Sequence, residues 1–473
     1  MNQRILLGAL VALWALPTFA QEDRLAKRHA LVGTLYEQER HADLVREVDL
    51  QIQEAVGTTW ADSLHRYLYK YGYAHRKLKD AAAGTAAAER IYALVQARGK
   101  AGNTLEALFD LSWTYYEVGE LKQCARVDSM AVAVADGDPA IPRGQRGRAR
   151  QYLAFDHSIL GDHRLSLQWA LAAIGQYEQA DSIPATQWAE SYTAAGVANW
   201  HLGRIREAEA LYQQALEKLG NDTSEAILMR KVSAYGNLGV LWQNAGDHPR
   251  AKNNYLASLR LSDHLIATTQ DRFTRDEAIV NRSRTYLNLA TVYFQTGDDG
   301  RARDLLDRAW KDRSSVLSPD DPQLIAVKER IADIELDAGN LEKAQQLMGD
   351  YVEACERKFG PRSEEYIRAT SKLGDVLARQ QRFGSADSLY ALSMAAGRLT
   401  MDSATDPILM RTLLAQARSR IAQGRWAEAL DDLGRARELV IRLYDSTHYQ
   451  VAQVDVLRAE ATEAMGDHRT AAV

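Results

Sequence analysis

Few side chains in this sequence stand at spacings that do chemistry. Its two cysteines, Cys124 and Cys355, lie 231 residues apart. A nucleophilic Cys–His pair needs a thiolate beside an imidazole. Cys355 sits in Glu353-Ala-Cys-Glu-Arg at a predicted helix end, which suits a structural thiol better. His65 and His75 are ten residues apart and neither cysteine has a histidine at ligand spacing, so no zinc site is expected. Asp320-Asp321, between Pro319 and Pro322, reads as a charged loop and not as a calcium site. There is no GxxxxGKS/T phosphate loop, no GxGxxG after a strand, no HExxH and no GxSxG. The chain therefore reads as a non-enzyme without a cofactor.

Composition points to helices around a packed core. Of 473 residues, 46% are apolar and 26% charged, and only nine are proline. These are globular values, and scarce proline suits a helical chain. The net charge of −5 argues against a nucleic-acid partner, which needs a basic patch.

Residues 1–20 form a separate object. One arginine, Arg4, precedes the unbroken apolar run Ile5 to Leu16, and Pro17, Thr18, Phe19 and Ala20 follow. This is the three-part pattern of a signal peptide, with cleavage expected after Ala20. Twelve apolar residues span about 18 Å of helix against a membrane core of ~30 Å, which disfavours an anchor. The expected location is periplasmic or secreted, with no membrane insertion after cleavage.

The organising feature is a repeat. A helix–turn–helix corner recurs at Gly119, Gly161, Gly203, Gly246, Gly297, Gly339, Gln381, Gly424 and Gly466, with gaps of 42, 42, 43, 51, 42, 42, 43 and 42. Five residues after the corners stand Cys124, Ser166, Ala208, Ala251, Ala302, Ala344, Ala386, Ala429 and Ala471. Seven residues before them stand Ser112, Ala154, Gly196, Gly239, Ala290, Ala332, Gly374, Ala417 and Ala459. Two antiparallel helices crossing at closest approach need small residues at these two points. Between them, apolar residues follow three- and four-residue spacing. Gly-Asp-His at 246–248 and Gly-Asp-Asp at 297–299 suit a left-handed helix end followed by an N-cap. The 51-residue gap places extra residues in 262–278, read as an extended second helix plus a longer loop.

Tyr286, Leu289, Ala290, Tyr293, Ala302, Leu306 and Ala309 resemble the tetratricopeptide repeat (TPR), departing from it at Leu306. The resemblance covers roughly residues 105–473, as about nine units of which the last is incomplete. The long period, with Val316-Leu-Ser-Pro-Asp-Asp-Pro-Gln and Lys358-Phe-Gly-Pro-Arg-Ser between units, is similar to the kinesin-light-chain-like subtype. Gln381, Glu335 and Arg420 depart from that pattern. The resemblance implies an all-α fold: a right-handed α-solenoid, or superhelix, of stacked antiparallel helix pairs. Residues 21–104 are expected to be degenerate helical repeats capping the N-terminal end. Tyr67, Tyr69, Tyr71 and Tyr73 alternate as a strand would, but their flanks are helix formers, so a helix is expected. The cysteines fall five repeats apart, where solenoid residues do not meet, so two free and mostly buried thiols are expected.

The family implies a function as well. Its first helices line a concave groove that takes proteins or peptides. Matched residue by residue, that groove holds Trp200, His201, Asn237, Gln243, Asn244, Asn288, Thr291, Phe294 and Gln295. Asn237 and Asn288 share one motif position in adjacent repeats, and amides can pair with an extended backbone. Trp200 and Phe294 could take apolar side chains. Further along, Arg368, Asp375, Arg379, Arg411 and Arg418 alternate with Asp333 and Asp337, a solvated face whose arginines suit an acidic partner. The second helix of the last unit is unfinished at Val473, which raises the expectation of a C-terminal continuation. The resemblance suggests a caspase-like (CHAT) domain there, making this chain the recognition half of a longer protease or signalling protein. A toroidal glycan hydrolase would also stack helical hairpins, but it needs paired carboxylates over a cavity, and the strict small-residue register opposes it. The sequons at Asn221 and Asn281 are surface-compatible.

Overall fold

Each corner is a left-handed helix end. In the computed structural model, φ lies between +72° and +83° at all eight corner glycines. Gln381, which replaces glycine in the ladder, is forced to +62°. At the Gly246 corner, the Asp247 amide donates to the Trp242 carbonyl (2.9 Å) and closes the preceding helix. The Asp247 carboxylate then accepts from the Arg250 amide (3.0 Å) and starts the next. Asp162 and Asp298 cap their helices in the same way.

The structure describes residues 21–466 apart from 56, 57, 79, 318–320, 401–406, 445 and 447. The apolar run near the N-terminus, Asp320 and the end of the last hairpin lie outside the described residues. Among the described residues all regular structure is helical. The chain divides within one helix into two compact units, 1–195 and 196–473. Unit 1 holds α1 (21–37), α2 (His41–Ala55), α3 (His65–Lys77), α4 (Ala81–Gln96), α5 (Ala101–Glu117), α6 (Leu121–Gly137), α7 (Arg143–Ile159) and α8 (His163–Tyr177). The dividing helix is α9 (Ala185–His201). Unit 2 continues with α10 (Ile205–Leu219), α11 (Glu225–Asn244), α12 (His248–Thr268), α13 (Arg272–Gln295), α14 (Asp299–Val316) and α15 (Pro322–Asp337). It ends with α16 (Leu341–Phe359), α17 (Glu364–Arg379), α18 (Phe383–Thr400), α19 (Pro407–Ala422), α20 (Trp426–Leu443) and α21 (Tyr449–Ala464). Successive helices pack as antiparallel pairs, α5 on α6, α7 on α8, α11 on α12 and so on, and within each unit neighbouring pairs stack, as α6 does on α7 and α12 on α13. The result is an α-solenoid.

The two small slots do what their spacing requires. Cys124, Ser166, Ala208, Ala251, Ala302, Ala344, Ala386 and Ala429 are all essentially inaccessible to solvent. At the facing slot, glycine and alanine follow a rule. A Cβ on Gly196 would lie 2.7 Å from the Tyr212 ring, and one on Gly374 2.7 Å from the Tyr390 ring. Gly239 meets Tyr255 in the same way. These tyrosines stand nine residues after the corner. Where the slot is instead Ala154, Ala290, Ala332 or Ala417, the partner position holds Ala170, Leu306, Met348 or Leu433. Glycine is used where a ring must lie flat on the opposing backbone.

The first repeat departs from this scheme. Its slots hold Ser112 and Asp128, and the serine hydroxyl donates to the aspartate (2.8 Å). Asp128 and Asp156 are both buried, and an oxygen of each lacks a hydrogen-bond partner, which favours holding a proton over ionising. Burial, reinforced by the neighbouring carboxylate, raises Asp128 well above the usual range, and burial lifts Asp156 to about 6.

The tyrosine alternation resolves into a helix. In α3, Tyr67 and Tyr71 are buried on one face while Tyr69 and Tyr73 stack on another, ring centroids 6.2 Å apart. Both cysteines are free and buried, and burial pushes the Cys124 thiol up to about 12 and Cys355 to about 11. Two expectations need correction. The extra residues near 262–278 do not lengthen a loop: α12 runs 21 residues and α13 runs 24, joined by residues 269–271. That joint is tight because Asp271 caps α13 through Thr274 (2.7 Å) and Arg275 donates to the Thr269 carbonyl (2.6 Å). Asn281 is not a surface site; it is buried in α13.

The glycine crossing and the buried acid pair can each be tested. Alanine in place of helical glycine gains about 1 kcal/mol in propensity, but at Gly196 the clash with Tyr212 should win. Gly196→Ala should cost roughly 1–3 kcal/mol in urea denaturation, and Gly196→Ala/Tyr212→Leu should recover more than additivity allows. For Asp128 and Asp156, the folded state holds protons that the unfolded chain releases near pH ~4. Stability should therefore fall as pH rises from there through 6 and beyond. Each pH unit over which the folded state alone keeps one such proton costs it about 1.4 kcal/mol. Asp128→Asn should flatten that fall in thermal melts followed by circular dichroism.

Candidate binding groove

First helices in unit 2 stand next to one another: α11 packs on α13, α13 on α15 and α17 on α19. Positions sharing a distance from the corner therefore form rows across them. Nine residues before the corner the row reads Asn237, Asn288, Arg330, Lys372; six before, Val240, Thr291, Asp333, Asp375; two before, Asn244, Gln295, Asp337, Arg379. The rows begin neutral and end charged.

In the neutral half, Asn237 and Asn288 are half-buried. Neither side-chain amide makes a hydrogen bond among the described residues. Asn244 and Gln295 are exposed. Gln243 accepts from the Tyr255 hydroxyl (2.7 Å), so its oxygen is committed to the hairpin. Thr291 donates to its own helix at Leu287 (3.1 Å) and receives Arg330 from α15 (3.4 Å). Beside it, Arg330, Asp333, Ile334, Leu336 and Asp337 enclose a hollow of about 200 Å³. The two aromatics, half-buried, also contribute to packing. Phe294 packs against the core shared by α13 and α14, and Trp200 against that of α10 and α11.

In the charged half the ions satisfy one another. Lys372 bridges Asp333 (2.6 Å) and Glu329 (2.9 Å). Arg368 approaches Glu329 and Arg379 approaches Asp337, both at 3.8 Å. Burial opposes ionisation of Glu329, but Lys372 and Arg368 outweigh it and hold the carboxyl below its usual range. Burial lifts Asp375 to about 6, although it accepts from the Tyr390 hydroxyl (2.7 Å). Arg368 is thus drawn to the buried Glu329, whereas Arg379 and Asp337 are both largely exposed. Arg330 and Lys372 were missed as groove residues, and the signal was available: they continue the row of Asn237 and Asn288.

His201 has a role that no repeat pattern announces. Its backbone carbonyl accepts from Nε2 of His448 (2.8 Å), 247 residues away. His448 is buried between α20 and α21, its ring stacked on Tyr444 at 4.1 Å. Its Nδ1 accepts the Gln450 amide (3.3 Å) and caps α21, so Nε2 carries the proton. Distant repeats therefore do meet in unit 2. Helices α10 to α20 lie between the two ends of this contact. Among the described residues no group of His, Cys, Asp or Glu could hold a metal ion, and no helix is long and apolar enough to cross a membrane.

Removing the His448 imidazole should loosen both ends of its contact. His448→Ala should cost about 1–2 kcal/mol through the lost cap and hydrogen bond. In hydrogen–deuterium exchange, amides of the α9–α10 corner and the first turn of α21 should exchange faster, while those of α14 stay unchanged.

Comparison with known proteins agrees with this geometry. Tetratricopeptide-repeat profiles match residues 281–356 and 188–219. The apo quorum sensor NprR from B. thuringiensis superposes with a TM-score of 0.52 at 13% identity, covering 79% of this chain and 99% of that one. A Rap protein complexed with Competence and Sporulation Factor gives 0.45 at 11% identity, over 78% and 99%. BtubC (BKLC) from P. vanneervenii gives 0.40 at 20% identity, over 51% and 91%. No curated protein matches. The chain carries tetratricopeptide repeats, and its fold is that of a TPR solenoid.

Proposed function

We propose that this chain is a non-catalytic scaffold that binds a protein or peptide through the first-helix groove of unit 2. One observation carries the reading: Asn237 and Asn288 hold the same position on contacting helices and spend neither amide on the fold. A row of amides offers donor and acceptor together, which suits the backbone of an extended segment. Asn244, Thr291 and Gln295 widen the polar surface beside them. The fold adds support, because solenoids present extended surfaces of this kind. We place the activity outside the cytoplasm on the strength of the first twenty residues, whose basic, apolar and small-residue segments follow a signal peptide.

The test is recovery of cross-linked partners from periplasmic extract, quantified by mass spectrometry. Wild type should enrich a defined partner, and Asn237→Ala/Asn288→Ala should reduce its recovery at least about tenfold. The double variant should melt within about 0.5 kcal/mol of wild type, since neither amide supports the fold. Equal recovery by both proteins would refute the groove assignment.

A further inference from the structure

A crevice in unit 2 lies between α14, α15 and α16 and encloses about 450 Å³. That volume is of the size that holds small molecules. Its origin is a lost ring. The slot eleven residues before the corner holds Tyr192, Tyr235 and Tyr286 in three successive repeats and Lys328 in the next. A lysine stem does not fill the space of a phenol ring in a close-packed interior. The Lys328 ammonium approaches Asp350 only to 3.8 Å. None of the residues lining the crevice stands nine, six or two residues before a corner, so it lies outside the groove rows.

The lining divides by chemistry. Leu324, Ile325 and Ala354 are buried and give it an apolar surface. Trp310 adds an indole, 36% exposed, in a slot that holds Leu216 and Leu259 in the two preceding repeats. The charges come from α16. Glu353 and Arg357 line the crevice one helical turn apart, with Lys358 beside Arg357. Acid and base at this spacing can close on each other, yet these do not. Among the described residues, Glu353, Arg357 and Lys358 enter no hydrogen bond and no ion pair. Unspent charges of both signs therefore border an exposed ring.

We propose that this crevice binds a free α-amino acid with an aromatic or large aliphatic side chain. A zwitterion carries both signs of charge on neighbouring groups, which matches a lining that offers both within one helical turn. The ligand carboxylate accepts from the Arg357 guanidinium and the Lys358 ammonium, and the ligand ammonium donates to Glu353. The ligand side chain covers Trp310, Leu324 and Ile325 and removes their apolar surface from water. A plain anion would be opposed by Glu353, and a plain cation by Arg357 and Lys358. The site goes beyond the scaffold reading and does not depend on the asparagine row.

The probe is L-phenylalanine, titrated into the full chain by isothermal calorimetry. Three relatives are titrated alongside it. N-acetyl-L-phenylalanine lacks the ammonium, L-phenylalaninamide lacks the carboxylate and L-serine lacks the ring. Phenylalanine should bind at one site, and each relative should bind at least about tenfold more weakly. Glu353→Gln and Arg357→Gln, both at exposed positions, should each weaken phenylalanine binding at least about tenfold and leave the thermal melt unchanged. Asn237→Ala/Asn288→Ala should bind phenylalanine as wild type does, so failure of this site and failure of the groove are read separately. No saturable binding by wild type, equal affinity for any of the three relatives, or full affinity in either charge variant would overturn the proposal.

Discussion

The structure depends on how closely two helices can approach within each hairpin. Backbone separation at a helix crossing is set by the side chains trapped there. In this chain the limit is reached by pairing a residue with no side chain, or almost none, against a large flat one. Gly196 with Tyr212, Gly239 with Tyr255 and Gly374 with Tyr390 are the extreme cases. Alanine opposite Leu306, Met348 or Leu433 fills the same gap with the volume divided differently. Because interiors are packed to crystal-like density, this division must be consistent within each hairpin although it varies between hairpins. The solenoid follows, since hairpins closed in this way stack on their neighbours within each unit.

Constancy in the hairpins leaves the first-helix faces free to vary. Every repeat offers the same row positions, and few of them hold the hairpin together; Asp375, which accepts from Tyr390 across its own hairpin, is one that does. The row nine residues before the corner carries amides in Asn237 and Asn288 and then cations in Arg330 and Lys372. In the charged stretch, Glu329 and Asp333 hold Lys372 so tightly that the ions act as struts between α15 and α17. Salt bridges among crowded side chains gain little net stability but fix geometry, because each ion left alone would be costly. The first-helix face thus carries a self-neutralised stretch beside one with uncommitted amides.

Much of this was legible from residue order. The glycine ladder predicts the corners because a left-handed helix end is a local requirement, and Gln381 keeps its place because the neighbouring hairpins impose the same turn. The small slots likewise predict the crossings. Residues 262–278 show where such reading stops: the expected extended second helix is present, but in place of the longer loop Asp271 and Arg275 close a short joint. Slot position placed Trp200 and Phe294 on the first-helix face but does not report how much of each ring also packs into the hairpin cores. The contact of His448 with His201 had no signal at all, because it joins a loop residue to a backbone atom far away in the chain.

That last contact changes what kind of object unit 2 is. An open array tolerates gain or loss of a module, since each one answers only to its neighbours. An array whose far end touches its own beginning has a fixed circumference. Duplicating or deleting one hairpin between α11 and α20 would carry the imidazole away from its carbonyl, so this contact ties the count of hairpins to the geometry of the ring they close.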